Sequence, residues 1–363
     1  SKKAKNSSKN MTYVLVTGGC GFIGSNFIHH LIQYELASQI INLDKLTYAG
    51  NKDNLSTIEA SDCYHFIEGD ISDQEVVDKI LKKYKPDFIV NFAAESHVDR
   101  SIDSPLEFIQ TNVVGTLNLL QESKKWLKNE DNKKRERFRF IQISTDEVYG
   151  SLGKTGKFLE NTPYDPSSPY SASKASADHI ARSWYKTYNF PVIITNCSNN
   201  YGPYQFPEKL IPLTIINAIS GKRLPVYGNG LNVRDWLYVY DHCKAIQTVI
   251  EKGKPGETYN VGGNNEITNL KIVETICKIL DNKIPLDNGE LHKEKIKFVS
   301  DRPGHDYRYA INASKIKNEL GWEPKESFET GIQKTILWYL ENQNWWRKIQ
   351  KLKYKQERLG ILQ

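Results

Sequence analysis

Thr17-Gly18-Gly19-Cys20-Gly21-Phe22-Ile23-Gly24 is the stretch that decides the fold. It follows an apolar, strand-like run and precedes a helical pattern, and Gly18, Gly21 and Gly24 have the spacing GxxGxxG. Glycine permits a tight turn and lets backbone N–H groups approach a pyrophosphate. The N-terminus of the following helix adds a positive dipole at the same place. Between a strand and a helix, this spacing predicts a dinucleotide-binding turn.

Six strand-like runs alternate with helical stretches in the first half of the chain. The runs are nearly continuously apolar, as expected for parallel strands covered on both faces. Helical patterns lie between several of them, for example at Gln74–Tyr84 and Pro105–Trp126. This rhythm predicts the α/β class, with a doubly wound parallel sheet of the Rossmann type. The six runs are Tyr13–Thr17, Gln39–Leu43, Tyr64–Ile67, Phe88–Phe92, Arg139–Ser144 and Val192–Asn196.

An acidic residue, Asp44, stands at the end of the second predicted strand. A carboxylate there can accept hydrogen bonds from an adenine ribose and would repel a 2′-phosphate, which favours NAD over NADP. The neighbouring Lys45 weighs slightly against this, and a turn formed by Asp44 is the alternative. Asp70, at the end of the third strand, is a candidate contact to the adenine or a helix cap.

The second half of the chain follows a different rhythm. After about Tyr201 come turn signals such as Tyr227-Gly228-Asn229-Gly230, and helical patterns near Leu270–Leu280 and Phe328–Asn342. We expect residues 11–200 to form the NAD-binding Rossmann domain. Residues 201–363 are expected to form mainly a second, smaller mixed α/β domain that binds substrate, with parts returning to the Rossmann sheet. The charged segment Lys128–Arg137 predicts a surface loop.

Composition excludes several classes of protein. The chain has 363 residues, of which 39% are hydrophobic and 25% charged, as in ordinary globular proteins. No apolar run approaches the ~20 residues that span a bilayer, and no secretory signal is recognised. The five cysteines are scattered without a CxxC pair. A metal site or disulfide framework is therefore not expected, and a cytoplasmic location fits best.

The net charge of +6 comes largely from one end of the chain. Residues 1–10 carry four lysines and no acid, and without them the charge is +2. This segment is expected to be a disordered basic tail or to be foreign to the native protein. The excess charge therefore does not indicate nucleic-acid binding.

Tyr170-Ser171-Ala172-Ser173-Lys174 places a tyrosine and a lysine one helical turn apart. Tyrosine near its usual pKa of ~10 is a poor base at neutral pH, but a nearby ammonium lowers that pKa. The pair can then take a proton from a hydroxyl while hydride leaves the same carbon. Such pairs also occur on many surface helices. The glycine turn and a Ser144-Thr145 strand end favour the catalytic interpretation.

Together these motifs resemble the extended short-chain dehydrogenase/reductase family that acts on nucleotide sugars. Thr145, Tyr170 and Lys174 match its Ser/Thr, Tyr and Lys triad, and Asn91-Phe92-Ala93-Ala94 matches its cofactor contact after the fourth strand. The resemblance runs from Met11 to about Leu340. It implies NAD as cofactor and a homodimer packed through two long helices. Further matching segments are Ala94–Ser101, Asn199–Gln205, Pro207–Leu210, Val233–Trp236 and Asp301–Asp306.

The segment Ser144-Thr145-Asp146-Glu147-Val148-Tyr149-Gly150 separates the members of this family. Epimerases generally lack both adjacent acids, whereas sugar-acid decarboxylases and GDP-mannose dehydratases keep the Glu but usually not the Asp. The pair resembles the pattern of dTDP-glucose 4,6-dehydratases, which UDP-glucose 4,6-dehydratases share. The alternative is that Asp146 and Glu147 merely cap the loop after the strand.

This resemblance implies a catalytic set of Thr145, Asp146, Glu147, Tyr170 and Lys174. We expect Tyr170 to take the C4 hydroxyl proton of the hexose while NAD receives hydride from C4. Glu147 then removes the C5 proton, protonated Asp146 gives a proton to the departing C6 hydroxyl, and hydride returns to C6. Two carboxyls with opposite tasks must hold different protonation states.

The resemblance also implies two sets of binding residues. Cationic groups suit a nucleoside diphosphate, and an aromatic ring can stack on its base. The residues expected to bind NAD are Gly18, Gly21, Phe22, Ile23, Gly24, Asp44, Lys45, Thr47, Asp70, Ile71, Ala93, Ala94, Thr111, Tyr170, Lys174 and Asn200. Those expected to bind the nucleoside-diphosphate hexose are Ser96, Thr145, Asn199, Lys209, Leu210, Tyr227, Arg234, Asn269, Arg302 and His305.

Two other functions stay open at this point. One is a nucleotide-sugar 4-epimerase or decarboxylase, and the other is an NAD-sensing regulatory protein on the same fold. The pair Tyr170 and Lys174 argues against the regulatory protein, which would be expected to lose it. The sequence does not distinguish thymine from uracil, which differ by one methyl group worth roughly 1 kcal/mol of apolar contact.

Overall fold

The computed structural model of the chain describes residues 11–47, 50–93 and 102–352. The basic segment 1–10 lies outside the described residues. The strands are β1 (Met11–Thr17), β2 (Ala37–Asp44), β3 (Tyr64–Glu68), β4 (Phe88–Asn91), β5 (Arg139–Thr145), β6 (Val192–Cys197), β7 (Asn199–Tyr201), β8 (Leu224–Tyr227), β9 (Val233–Tyr238), β10 (Thr258–Val261), β11 (Glu266–Thr268) and β12 (Ile296–Val299).

Within the described residues, seven parallel strands form the central sheet, in the order β10-β6-β5-β4-β1-β2-β3. From β1 the chain first adds β2 and β3 on one side and then adds β4, β5, β6 and β10 on the other. The strand order therefore reverses between β1 and β4. In open sheets of this kind, ligands bind at that reversal, beyond the carboxyl ends of the strands. The doubly wound α/β fold predicted from the sequence is confirmed.

Helices cover both faces of the sheet. They are α1 (Phe22–Gln33), α2 (Gln74–Tyr84), α3 (Pro105–Phe108), α4 (Thr116–Leu127), α5 (Asn132–Arg137), α6 (Pro169–Tyr188), α7 (Leu210–Ile219), α8 (Val239–Lys252), α9 (Asn269–Lys283), α10 (Ser314–Leu320), α11 (Phe328–Glu341) and α12 (Gln343–Leu352). Alternate residues of β1 serve the two faces: Val14 and Val16 pack in one core cluster with α1 and α8, and Leu15 packs in the other with α2 and α4.

A third apolar cluster lies outside the central sheet. It joins α7, α9 and α11 with β8 and β9, through residues such as Ile215, Ile276 and Ile336. Two small sheets, β11-β9-β7 and β12-β8, complete this region. Strand β10, from the second half of the chain, lies in the central sheet beside β6. The division into residues 11–200 and 201–363 stays a prediction.

The six predicted strands are confirmed as β1 to β6. The predicted helix Pro105–Trp126 is present, but residues Ile109–Gly115 form a π-helical segment between α3 and α4. The prediction that Lys128–Arg137 is a loop is wrong for its second half, which forms α5. The carboxylate of Asp131 caps this helix by accepting a hydrogen bond from the backbone N–H of Lys134. In the part of the chain that is described, no helix is both long and apolar enough to cross a membrane.

Candidate active site

A cavity of about 380 Å³ lies beyond the carboxyl ends of β1, β4, β5 and β6. It brings together nearly all the predicted site residues. Asp146 is described but does not line it, and Ala94 and Ser96 lie outside the described residues. The predicted residues that line the cavity are Gly18, Gly21, Phe22, Ile23, Gly24, Asp44, Lys45, Thr47, Asp70, Ile71, Ala93, Thr111, Thr145, Glu147, Tyr170, Lys174, Asn199, Asn200, Lys209, Leu210, Tyr227, Arg234, Asn269, Arg302 and His305.

The glycine turn between β1 and α1 forms one end of the cavity. Gly18 has φ +75°, and a Cβ there would lie 2.7 Å from the Cα of Ala93. A Cβ on Gly24 would lie 2.4 Å from the carbonyl oxygen of Gly18. Gly21 is different, because its nearest such contact is 3.4 Å away. Backbone packing therefore requires Gly18 and Gly24, whereas Gly21 leaves room for a group approaching from the cavity.

Asp44 lines the cavity and also stiffens the loop around it. Its two carboxylate oxygens accept hydrogen bonds from the backbone N–H groups of Cys20 (2.8 Å) and Leu46 (2.7 Å). Asp44 therefore forms the turn that was the alternative interpretation, and it also lines the cavity as predicted. The ammonium of Lys45 lies 3.2 Å from the carboxylate of Asp70, so its charge is compensated.

Tyr170 and Lys174 project from the start of α6. A capping box, in which Ser168 and Ser171 bond reciprocally, fixes that start. The ring of Tyr170 is 8% exposed and packs edge-on against Phe108, with ring centroids 6.1 Å apart. The Nζ of Lys174 is buried and donates a hydrogen bond of 2.9 Å to the carbonyl oxygen of Ile143, near the end of β5.

The acid–base state of Tyr170 differs from the expectation. Burial, followed by the negative charge of Glu147, raises the pKa of Tyr170 well above its usual value. The expectation that Lys174 lowers this pKa is therefore not met in this structure. The physical reason is that burial dominates, while the Lys174 ammonium bonds to a carbonyl and lies near Asp178, whose charge opposes its own.

Asp178 is a functional candidate that the sequence analysis missed. It lies one helical turn after Lys174 and is fully buried. Its carboxylate accepts hydrogen bonds from the hydroxyls of Ser144 and, at 3.2 Å, Tyr164. Burial raises the pKa of Asp178 to about 6, and the Lys174 ammonium opposes that shift. The spacing Tyr170, Lys174, Asp178 along one helix face was the available signal.

Asp146 and Glu147 begin the 3₁₀ turn Asp146–Tyr149, which follows β5. The hydroxyl oxygen of Thr145 caps this turn by accepting a hydrogen bond of 3.2 Å from the N–H of Glu147. Consecutive side chains of a 3₁₀ turn diverge by about 120°. Glu147 lines the cavity, whereas Asp146 is fully buried beside it. The roles expected for the two acids require both to reach the hexose, but only Glu147 lines the cavity.

The two acids have different electrostatic surroundings. Burial raises the pKa of Asp146 well above its usual value, and the nearby charges of Glu147 and Asp235 add to the shift. Burial also raises the pKa of Glu147, but its main charged neighbours, Arg302 and Lys209, lower it. This asymmetry favours a protonated Asp146 next to an ionised Glu147.

The other end of the cavity is positively polarised. Lys209 precedes the first residue of α7, Leu210, and Asn269 is the first residue of α9, so two helix N-termini point to this region. Arg234 is buried, donates to the carbonyl oxygen of Asp306 at 3.0 Å and lies 4.2 Å from the ring centroid of Tyr309. Such a set of donors suits a diphosphate.

His305 and Tyr227 meet at the same end. Their ring centroids are 6.1 Å apart and the rings are nearly perpendicular. The Nδ1 of His305 lies 2.6 Å from the carboxylate of Asp301. Burial and the charge of Arg302 lower the pKa of His305 to about 4, so the imidazole is neutral at neutral pH.

A family model described as GDP-mannose 4,6 dehydratase matches residues 15–335. The chain belongs to this family. The resemblance inferred from the motifs is therefore confirmed. Curated relatives agree over nearly the full length: a dTDP-glucose 4,6-dehydratase of Xanthomonas campestris is 55% identical, with 95% of this chain and 98% of the relative covered. One of Escherichia coli is also 55% identical, covering 96% and 99%.

Solved structures of the family have the same fold. A dTDP-glucose 4,6-dehydratase of Bacillus anthracis, solved in complex with NAD, is 52% identical with a TM-score of 0.83, covering 93% of this chain and 99% of its own. A UDP-glucose 4-epimerase of Thermotoga maritima is 27% identical with a TM-score of 0.80, covering 92% and 100%. Dehydratases and epimerases thus share this fold. In sequence, this chain is more similar to the dehydratase than to the epimerase.

Several residues that line the cavity were not predicted from the sequence as site residues. Cys197 lies at the end of β6, and Asn54, Tyr204 and Trp345 line the glycine-turn side. Trp345 is almost 300 positions from Asn54 in the sequence, yet its indole N–H donates to the Asn54 side chain at 2.7 Å. No local pattern could have signalled that contact.

Proposed function

We propose that this protein is an NAD-dependent nucleotide-sugar 4,6-dehydratase, a hydro-lyase that converts dTDP-glucose to the 4-keto-6-deoxy sugar and water. The observation that carries the proposal is that Glu147 and Tyr170 line one cavity between a glycine turn and a cationic end. The identity of 55% to dTDP-glucose 4,6-dehydratases over 95% of the chain supports the same reaction.

The residues around the glycine turn fit NAD. The packing at Gly18 and Gly24 leaves no space for side chains, and Gly21 leaves an open approach for a pyrophosphate. Asp44 lines the cavity on the same side and is proposed to accept hydrogen bonds from the adenine ribose. NAD supplies a hydride acceptor that becomes a hydride donor later in the same turnover. The protein's own residues supply the proton transfers.

Tyr170 is proposed as the base that takes the C4 hydroxyl proton, with Lys174 as its buried cation and Thr145 as a hydrogen-bonding group on the hexose. All three line the same cavity. The raised pKa of Tyr170 means that its phenolate is a strong base toward the C4 hydroxyl.

Glu147 is proposed as the base at C5 and Asp146 as the acid at C6. Glu147 lines the cavity beside cationic neighbours, which favour its ionised form. The raised pKa of Asp146 favours the protonated form that an acid needs. Because Asp146 lies just behind the cavity wall, delivery of its proton requires its carboxyl group to turn toward the hexose.

A mass measurement tests the reaction. The protein is incubated separately with dTDP-glucose and UDP-glucose, and the sugar nucleotides are analysed by mass spectrometry. We expect dTDP-glucose to lose the mass of one water and to react faster than UDP-glucose. A 4-epimerase would return an isomer of unchanged mass, and a protein that only senses NAD would leave both compounds intact. Either result would contradict the proposal.

Lys209 is predicted to bind the diphosphate. Lys209→Met removes its charge from the N-terminal end of α7, where we expect the KM for dTDP-glucose to rise about tenfold or more, because charge-assisted hydrogen bonds contribute about 1.5–3 kcal/mol. Lys222→Met is the matched control, since Lys222 is exposed beyond the other end of α7. Steady-state kinetics at several salt concentrations gives the KM of both variants. Equal KM values for the two variants would remove Lys209 from the site.

The proposal includes a homodimer and a cytoplasmic location. Leu106 is 76% exposed and Ile109 is 42% exposed on the α3 side of the long helical segment expected to pack against a second copy. Exposed apolar side chains of this size favour an interface. All five cysteines are free thiols, in keeping with a reducing compartment.

A further inference from the structure

Helix α12 (Gln343–Leu352) reaches from the substrate region to the glycine-turn side of the cavity. The indole N–H of Trp345 donates a hydrogen bond of 2.7 Å to Oδ1 of Asn54. The ammonium of Lys348 lies 2.6 Å from the carboxylate of Asp53. Asp53 and Asn54 belong to the 3₁₀ turn Lys52–Leu55, which follows β2. The last described helix is therefore bonded to the Rossmann part of the chain.

Asn54 connects this helix to the glycine turn. Its side-chain amide donates a hydrogen bond of 3.0 Å to the carbonyl oxygen of Cys20, the residue immediately before Gly21. The N–H of Asn51 donates to the same oxygen at 2.9 Å. The carbonyl oxygen of Asn54 lies 2.7 Å from Nε2 of His29 on α1. A continuous path of hydrogen bonds thus runs from Trp345 to the predicted pyrophosphate turn.

The other side of Trp345 rests on a cluster of aromatic rings. Its ring centroid lies 5.2 Å from Trp338 and 5.7 Å from Tyr204, in edge-to-face contacts. The next residue, Trp346, is 1% exposed and donates its indole N–H to the carbonyl oxygen of Tyr339 at 2.9 Å. These contacts pack α12 against the rest of the protein.

Trp345 and Ile349 also form part of the cavity wall, together with Asn54 and Tyr204. None of these four belongs to the set expected to bind NAD from the sequence. A cofactor seated on the glycine turn would therefore be covered on this side by α12. A molecule leaving in this direction has to displace the helix first.

We propose that α12 is a clamp that retains NAD, and that the hydrogen bond from Trp345 to Asn54 is its latch. The inference rests on the proposed NAD site but not on the dehydration step. The need for retention follows from the chemistry: hydride moves to the cofactor and returns to the same sugar, so release between the two transfers would strand the intermediate. The clamp slows dissociation of the cofactor in both redox states.

The test is the dissociation rate of NAD without any sugar present. The full-length protein is loaded with isotope-labelled NAD and chased with unlabelled NAD, and retained label is measured over time. Trp345→Phe keeps an aromatic ring but removes the indole N–H that forms the latch. We expect about fivefold faster dissociation, the effect of one lost hydrogen bond of about 1 kcal/mol. Trp345→Ala also opens the cavity wall and should exceed that effect.

Trp338→Phe is the matched control, because it changes the same aromatic cluster without removing the latch. It should release NAD at a rate within about twofold of the unmodified protein. Thermal unfolding confirms that each variant is folded at the assay temperature, and Trp345→Phe suffices if Trp345→Ala does not fold. Equal dissociation rates for the unmodified protein and Trp345→Phe would overturn the clamp alone. Failure of the unmodified protein to bind NAD would overturn the proposed cofactor, and with it both proposals.

Discussion

Tyr170→Phe is expected to abolish reduction of bound NAD by dTDP-glucose, with the rate of that step lowered about a thousandfold. The substitution removes one oxygen atom and keeps the ring. Because the ring is buried against Phe108, the phenylalanine fits the same space, and stability should change little. The loss therefore reports the missing proton acceptor rather than a disturbed fold.

The size of the expected loss follows from the surroundings of Tyr170. Burial and then the charge of Glu147 raise the pKa of Tyr170. Its phenolate is therefore a strong base, and its loss removes a strong proton acceptor from the site. Hydride cannot leave C4 unless the C4 hydroxyl loses its proton at the same time. Glu147 lines the cavity too, but its proposed position is at C5, so it cannot replace the phenol.

The measurement is a pre-steady-state, stopped-flow experiment that follows NADH absorbance during the first turnover after mixing with excess dTDP-glucose. Tyr188→Phe is the matched control, because Tyr188 lies at the end of the same helix and is 48% exposed. It should leave the rate unchanged. A Tyr170→Phe rate within about threefold of the control would mean that another group deprotonates the C4 hydroxyl.

The parts of the fold that depend on local chemistry were predictable. Gly18 is required by its φ of +75°, and Gly24 by its close approach to the carbonyl oxygen of Gly18, so the glycine spacing conveys both requirements. Strands β1 to β6 are short apolar runs with clear ends. In both cases the constraint acts over a few residues, so the sequence carries it directly.

The parts that depend on tertiary contacts were not predictable. The carbonyl oxygen of Ile143 receives the Lys174 ammonium because β5 and α6 meet in the fold, and no sequence pattern pairs them. The π-helical segment Ile109–Gly115 interrupts a stretch that the sequence pattern predicted as one helix. The contact of Trp345 with Asn54 joins the two ends of the chain.

Asp146 shows how a motif can identify the right residues and still leave their geometry open. The sequence places the two acids side by side, which suggested that both face the hexose. The 3₁₀ turn sends them in different directions, and only Glu147 reaches the cavity. That separation gives the two carboxyls different charged neighbours, which favours the different protonation states that the opposite tasks proposed for them require.

Glu147→Gln is expected to divide the reaction into its two halves. NADH should form at nearly the normal rate, because Tyr170 is intact. Exchange of the C5 proton with solvent and loss of water should fall about a thousandfold, since an amide cannot accept the proton. Glutamine has the same shape as glutamate and keeps one acceptor oxygen, so the site should keep its structure.

The two halves are read in D₂O by following deuterium at C5 and the mass of the product, with NADH absorbance in parallel. Glu160→Gln is the matched control: Glu160 is a partly buried acid whose carboxylate accepts from the N–H of Asn260, and it does not line the cavity. It should turn over normally. Asp146→Asn should show the complementary defect, in which C5 exchange continues while loss of the C6 hydroxyl is slow.

The pH dependence separates a base at Glu147 from a merely structural carboxylate. Burial raises the pKa of Glu147 against its cationic neighbours, so the ionised form is lost at a higher pH than for an exposed glutamate. C5 exchange by the unmodified protein should therefore decline as pH falls through that raised pKa, while the residual exchange of Glu147→Gln stays flat over the same range. Parallel pH profiles in the two proteins, or full dehydration by Glu147→Gln, would assign the C5 proton to a different group.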